Sequence, residues 1–279
     1  MSERIIMKVL KFTYHMDIQF DMPVKDHHFT LKCLPHSGQG QLIESMHYEV
    51  YPNWYISRST DSYKNECIYG FCEEKHDHFT VDVDGVARTG IKKTEVDSED
   101  FPKSIYKYQT EHTMPGEAMQ SYHDELLEKF DREREEQDVF DTEEMALFYM
   151  HCLFQDFTYE TGSTVIETTA EKAFQLGRGV CQDYTHILLG LLRMEHIPCR
   201  YVTGMMEGEG FSHAWVEVYT EKGWLALDPT NDQRVTDGHI RISIGRDYRD
   251  CMLNQGIFIG CEGKAVQTQT IRVEVTEIG

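Results

Sequence analysis

The segment that decides the fold is Gly177-Arg178-Gly179-Val180-Cys181-Gln182-Asp183-Tyr184. Its two glycines let the backbone turn tightly just before a predicted helix, and Cys181 falls in the first turn of that helix. A cysteine there lies among unpaired backbone N–H groups at the positive end of the helix dipole. This position favours the thiolate and can hold a developing oxyanion. A lone cysteine is more often a small buried hydrophobic residue, so the role of this thiol depends on its partners.

Two segments further along the chain supply the partners that a nucleophilic cysteine needs. His213 opens a predicted strand over 213–219, and Asp228 closes the next predicted strand over 224–228. A hairpin that turns at 221–223 would bring the two side chains together. The carboxylate could then hold one imidazole nitrogen while the other nitrogen faces the sulfur. The order Cys181, His213, Asp228 therefore predicts a catalytic triad.

Alternating apolar residues dominate the N-terminal third of the chain. Every second residue from Leu10 to Met22 is apolar, which is the period of a strand with one buried face. Residues 29–33, 46–50 and 79–83 repeat this pattern on a smaller scale, and Asp84-Gly85 adds a turn signal. Short strands separated by turns predict a β-sandwich.

Helical spacing replaces the alternation near Pro115. Helices are predicted around 119–130, after a capping box at Asp141, and from Cys181 onward. The second of these is apolar nearly all round, which predicts that it runs through the middle of its domain. Strand-like segments follow at 200–206, 213–219, 224–228 and 240–244, with a final alternating strand at 271–275. Helices followed by a run of strands predict an α+β fold.

The ordered motifs resemble the bacterial transglutaminase-like superfamily, whose members are often labelled as candidate cysteine proteases. The stretches that carry the resemblance are 177–184, 193–204, 213–217, 224–231, 245–250 and 256–260. The resemblance implies an N-terminal β-sandwich domain over residues 1–112 and a transglutaminase-like catalytic domain with a papain-like core over residues 113–279. It also implies Cys181 as the nucleophile, His213 as the base and acid, and Asp228 as the orienting carboxylate.

The chain departs from transglutaminases at the oxyanion hole. Those enzymes carry an upstream tryptophan whose indole N–H assists there, but here no tryptophan lies between Trp54 and Trp215. Gln155, Tyr159 or Tyr149 could supply the missing donor. Gln182 and Trp215 are further candidates for contact with the substrate. No calcium-loop spacing is present, and the resemblance implies no cofactor.

The function predicted from these residues is amide hydrolysis through a thioester acyl-enzyme on Cys181. The substrate would be a peptide bond or a Gln or Asn side-chain amide. Acyl transfer to an amine shares the same intermediate and is the first alternative. A catalytically silent protein-binding module on the same fold is the second.

Composition limits the partners. The formal net charge of -21 disfavours nucleic acid, since phosphate binding needs a basic surface. No apolar run reaches the ~18–20 residues that span a bilayer, and the first residues lack the pattern of a signal peptide. We therefore expect a cytoplasmic enzyme with a protein or peptide substrate and no membrane partner.

The cysteines and histidines outside the triad do not predict a metal site. The eight cysteines are scattered along the chain, and most are expected to be free thiols. The cluster Cys67-x4-Cys72-x3-His76-x-His78 departs from the usual zinc spacing and is interpreted as residues of a hairpin surface.

Overall fold

The structure is a computed structural model that describes residues 7–91, 101–133 and 141–279. Its helices are α1 (Glu117–Glu133), α2 (Thr142–Asp156), α3 (Ala170–Leu176), α4 (Cys181–Met194) and α5 (Tyr248–Cys251), with a short 3-10 turn at Ser104–Lys107. Its strands are β1 (Lys8–Leu34), β2 (Leu42–Tyr51), β3 (Tyr55–Thr60), β4 (Glu66–Cys72), β5 (His76–Thr89), β6 (Thr158–Tyr159), β7 (Arg178–Gly179), β8 (Cys199–Met206), β9 (Gly208–Gly210), β10 (His213–Thr220), β11 (Gly223–Asp228), β12 (Gln233–Arg234), β13 (His239–Gly245), β14 (Asn254–Gly260) and β15 (Gln267–Glu277). This combination confirms the predicted α+β class.

The N-terminal sheet is built around β1, which is 27 residues long. The first half of β1 pairs with β5 and β15, and the second half pairs with β4 and β14. The predicted alternation from Leu10 buries one face of the first half. Both halves share one apolar core, where the Phe29 and Phe79 rings lie 4.8 Å apart. The predicted β-rich N-terminal region is therefore confirmed as one antiparallel sheet of eight strands.

The last two strands return to β1 after the helical part of the chain. β15 pairs with β1 from Leu10 opposite Glu277 to Phe20 opposite Gln267, which confirms the final strand predicted at 271–275. The pairing adds residues 254–277 to the sheet of the N-terminal region. The boundary between residues 112 and 113 stays a prediction.

A second sheet, in the order β12-β11-β10-β8-β13, carries the candidate site. β10 and β11 form the predicted hairpin, closed by Thr220 opposite Gly223. The helix that is buried nearly all round is α4, whereas α2 leaves Phe154 and His151 exposed. The prediction that α2 is the central helix is therefore wrong, because a helix can be apolar along its length and still lie at the surface.

A buried ion pair lies beneath this second sheet. The Nε atom of Arg200 is 2.6 Å from Oε2 of Glu217, and both side chains are almost fully buried. Gln39 accepts hydrogen bonds from both Arg200 and Arg241, which connects the loop after β1 to β8 and β13. No helix in the described parts of the chain has the length and apolarity that crossing a membrane requires.

Candidate active site

Cys181 is the first residue of α4, and the backbone around it is held by Asp183. The Asp183 carboxylate accepts hydrogen bonds from the Val180 N–H at 2.8 Å and from the Thr164 hydroxyl at 2.7 Å. A Cβ atom at Gly179 would lie 2.5 Å from this carboxylate, which explains the glycine there. Asp183 thus caps its own helix, and Cys181 is left partly exposed.

His213 and Asp228 lie together at one end of the strands of the second sheet. His213 begins β10 and Asp228 ends the neighbouring β11, so the hairpin register places their side chains together. Nε2 of His213 lies 2.8 Å from Oδ2 of Asp228, with the carboxylate fully buried and 11% of the histidine side chain exposed. Cys181 lies close enough to His213 to contribute to the raised pKa of its imidazole. The structure thus pairs His213 with Asp228 and places Cys181 near His213, while the triad and its catalytic roles stay predictions.

The surroundings of the pair favour a charged imidazole beside a charged carboxylate. Burial alone would lower the pKa of His213, but hydrogen bonds with Asp228 and Cys181 outweigh burial and raise the pKa to about 10. Burial alone would raise the pKa of Asp228, but its interactions with His213 and His239 hold that pKa below its ordinary range. An imidazolium next to a thiol favours the thiolate.

Asp228 has further hydrogen-bond donors. The Thr230 N–H donates to Oδ1 at 3.1 Å, and the Asn231 amide donates to Oδ2 at 2.7 Å. A second histidine, His239, places its Nε2 atom 3.7 Å from the same Oδ2. A buried carboxylate needs such donors to stay ionised away from water.

Two of the predicted oxyanion donors, Gln155 and Tyr159, lie towards the N-terminal end of α4. Gln155 has its amide nitrogen 2.9 Å from Nε2 of His151, and Nδ1 of His151 is 2.7 Å from Asp232. Tyr159 is 53% exposed, and burial together with the charge of Cys181 raises the pKa of its hydroxyl. Tyr149 is fully buried in the helical core.

The other two candidates serve in packing and loop support. The Gln182 amide donates to the carbonyl of Ile166 at 3.0 Å, which ties the loop before α3 to α4. Trp215 is buried, with its ring centroid 6.4 Å from that of His213. Its indole lies over Gly204, where an added Cβ atom would come within 2.2 Å of the ring.

Sequence reasoning missed His239, His151 and Asp232. His239 lies at the same end of the sheet as His213. Its position directly before the strand predicted at 240–244 is the signal that could have identified it. His151 and Gln155 are four residues apart on α2, and that spacing places them on one helix face. Asp232 follows Asp228 closely but belongs to the turn after β11.

The three residues His213, Asp228 and His239 also offer ligand atoms within 4.8 Å of one another. The 2.8 Å between Nε2 of His213 and Oδ2 of Asp228 is a hydrogen-bond distance. Tetrahedral zinc ligands at 2.0–2.1 Å from the metal would be about 3.3 Å apart. This donor set therefore fits a hydrogen-bonded group better than a metal site.

The cysteines and histidines of the N-terminal Cys67–His78 motif do not converge on one point. The Cys67 thiol points to the Asn65 carbonyl, and the Cys72 thiol to that of Glu74. His76 lies 3.1 Å from His27, and His78 pairs with Asp17 at 3.1 Å. Cys72 and His76 also share the Glu74 carbonyl. The interpretation as residues of a hairpin surface is wrong, because Cys67 and Cys72 are fully buried and β4 pairs with β1 and β3 instead of β5.

Two family models match the chain. The Transglutaminase-like superfamily model covers residues 127–229, which include Cys181, His213 and Asp228. The model of the Bacterial transglutaminase-like N-terminal region covers residues 10–88, within the N-terminal sheet.

Curated relatives match part of the chain. An uncharacterised protein of Mycobacterium leprae is 36% identical over 130 residues, which cover 43% of this chain and 45% of that protein. An uncharacterised protein of Mycobacterium tuberculosis is 36% identical over 121 residues, or 38% of each sequence. The chain thus matches less than half the length of these relatives.

A solved structure matches nearly the whole chain. It is a candidate cysteine protease from Cytophaga hutchinsonii, with a TM-score of 0.75 and 19% sequence identity. The match covers 98% of this chain and 93% of that one, so the two proteins share the fold. The two family models match in order, so residues 10–88 carry the bacterial transglutaminase-like N-terminal region and residues 127–229 the transglutaminase-like core.

Proposed function

We propose that this protein is a cysteine-nucleophile enzyme that hydrolyses a peptide bond or a Gln or Asn side-chain amide through a thioester on Cys181. His213 serves as the base and acid, and Asp228 orients it. The observation that carries the proposal is the buried pair of His213 and Asp228, in which Asp228 occupies Nε2 and leaves Nδ1 available to a thiol.

The charge on His213 favours a negative sulfur in the attacking group. The raised pKa of His213 keeps the imidazole protonated at neutral pH, and an imidazolium stabilises a negative charge on a neighbouring sulfur. Cys181 also begins α4, where the helix dipole stabilises a negative charge. The superfamily and the fold of the Cytophaga protein support a cysteine-based enzyme in general terms.

The reaction follows from these positions. The Cys181 thiolate attacks the amide carbon, so that a C–S bond forms and the carbonyl oxygen becomes an oxyanion. His213 transfers its Nδ1 proton to the leaving nitrogen as the C–N bond breaks, which leaves a thioester. His213 then takes a proton from water, the resulting hydroxide attacks the thioester, and the C–S bond breaks to give a carboxylic acid.

The oxyanion donors are the N–H groups at the start of α4 together with one side chain. Gln155 is suited to this role because one N–H of its amide points at His151 and the second N–H is left to donate to the oxyanion. Tyr159 is the other candidate, since its exposed hydroxyl lies near enough to Cys181 to respond to its charge.

Reactivity of the thiol is the first test of the proposal. Cys261 is the matched control because it is partly exposed like Cys181, whereas the other six cysteines are buried. With iodoacetamide at pH 6, we expect Cys181 to be alkylated at least about tenfold faster than Cys261, as measured by mass spectrometry of tryptic peptides. Equal rates would remove the basis for an enzyme.

The fate of the thioester separates hydrolysis from acyl transfer. Incubation with a Gln-containing peptide and a labelled primary amine should give the free acid with no label incorporated, with release of ammonia from a side-chain amide or of a peptide amine from a cleaved peptide bond. Cys181→Ala should abolish the release. Incorporated label would instead establish amine transfer, the runner-up reaction, from the same intermediate.

A further inference from the structure

His239 approaches Asp228 from the strand on the far side of β8. β13 pairs with β8 through His239 opposite Met206 and Arg241 opposite Gly204, and β10 pairs with β8 through His213 opposite Gly204. β10 and β13 therefore begin at the same end of the sheet, beside the C-terminal end of β8. His239 is buried, with 2% of its side chain exposed, and its Nε2 lies 3.7 Å from Oδ2 of Asp228.

The ring of His239 is held on its other sides. Nδ1 is 3.2 Å from the Thr236 hydroxyl, and the ring meets Trp215 edge-on with centroids 5.5 Å apart. Trp215 is fixed in turn over Gly204. The two imidazole rings of His239 and His213 lie 6.2 Å apart, one on each side of the carboxylate they share.

We propose that His239 is a positioning residue that keeps the Asp228 carboxylate aimed at His213. Nε2 of His239 is buried and makes no closer hydrogen bond, so Asp228 is the acceptor it faces. A separation of 3.7 Å is longer than a normal hydrogen bond, as catalytic hydrogen bonds often are before a substrate binds. The inference rests on the proposed role of the triad.

The positioning acts in both protonation states of His213: it aligns the Asp228–His213 ion pair while His213 is protonated, and it still acts after His213 has given up its proton. Attraction between Asp228 and His213 then falls from that of an ion pair to that of a neutral hydrogen bond. The Nε2–H group of His239 continues to hold Oδ2, together with Asn231. The carboxylate therefore does not turn away before the imidazole accepts a proton from water.

The test compares two replacements of similar size. His239→Gln retains an N–H at about the position of Nε2, whereas His239→Leu retains bulk but donates nothing. Alanine is avoided because a cavity of about 180 Å³, lined by Trp215, Thr236 and Arg241, lies beside the ring and would open towards Asp228.

The readout is the alkylation of Cys181 by iodoacetamide as a function of pH. His239→Leu should lower the rate at pH 6 by about tenfold or more, the effect of losing a hydrogen bond to a charged group, and should approach the wild-type rate near pH 9.5. His239→Gln should stay within about threefold at every pH. Thr236→Val, at an exposed position, should shift the profile in the same direction by about two- to fivefold.

The outcomes separate this inference from the proposed function. If wild-type Cys181 is no more reactive than Cys261, the proposed function fails. If wild-type Cys181 is reactive but His239→Leu leaves its pH profile unchanged, the inference alone is overturned. Equal losses in the Gln and Leu variants, with a lowered Tm in both, would show a packing role and also overturn it.

Discussion

Two aspartate–histidine pairs lie near the start of α4, and their geometry is almost the same. Asp228 and His213 are 2.8 Å apart, and Asp232 and His151 are 2.7 Å apart. The first pair is buried, with 0% and 11% of the side chains exposed, whereas the second is at the surface, with 22% and 54% exposed. Solvent screens the second pair and leaves the first at nearly full strength. Burial, and not distance, therefore distinguishes the candidate catalytic pair.

The largest expected effect is on the buried pair. Asp228→Asn keeps the shape of the side chain but cannot stabilise the His213 imidazolium, and an amide donor there favours the wrong imidazole tautomer. We expect amide hydrolysis to fall by about 10³- to 10⁴-fold, as in the analogous change of a serine-protease triad. The measurement is ammonia release from the Gln peptide, with Tm as the control for folding. Loss of less than tenfold would mean that Asp228 does not orient the base.

The same contrast between buried and exposed pairs should hold for stability. Glu217→Gln leaves Arg200 and Arg241 with no carboxylate between them, and we expect the free energy of unfolding to fall by about 3–5 kcal/mol. Lys222→Met is the matched control, since it breaks an exposed pair with Glu143 and should change that free energy far less. Urea unfolding measures both, and equal values would contradict the comparison.

The pH dependence of stability should report His213. Its pKa is about 10 when folded and about 6.5 when unfolded, so the folded state holds the proton more tightly between these values. The stabilisation is full below about pH 6.5 and is lost as pH rises through 10. Between pH 7 and pH 10, wild-type stability should therefore fall by at least about 1 kcal/mol more than that of His213→Asn. Parallel urea curves for the two proteins would refute this.

The smallest effect is expected at the exposed pair. Asp232→Asn removes the acceptor that orients His151 and, through it, the Gln155 amide. Because solvent already screens this pair, amide hydrolysis should fall by less than about tenfold. A loss as large as that of Asp228→Asn would break the comparison and make the surface pair part of the machinery.

Sequence alone predicted the parts of the site that depend on local rules. Cys181 was placed by the glycines and the helix start, and His213 and Asp228 by the register of a single hairpin. These features depend on residues close together in the chain. Local rules also predicted the alternation in β1, but not that β1 continues to Leu34 through the register shift between Lys25 and His28.

The parts that sequence did not predict depend on contacts between distant elements. His239 reaches Asp228 because β13 adds to the far side of β8, and no spacing in the sequence encodes which strand lies there. His151 contacts the Gln155 amide, and the orientation of His151 depends on Asp232, which lies in the turn after β11. Likewise, α4 instead of α2 is the buried helix because of how the sheet and the helices pack together.

The pairing of β1 with β15 has a consequence for how the protein is made. A ribosome releases β1 early, but the strands that cover one of its edges, β14 and β15, emerge only after residue 253. Until then the longest strand of the molecule presents open backbone groups on which another nascent chain could dock. Closing so distant a contact is also slow. β15 therefore completes the pairing of β1, and a nascent chain is most prone to aggregate before β15 has emerged.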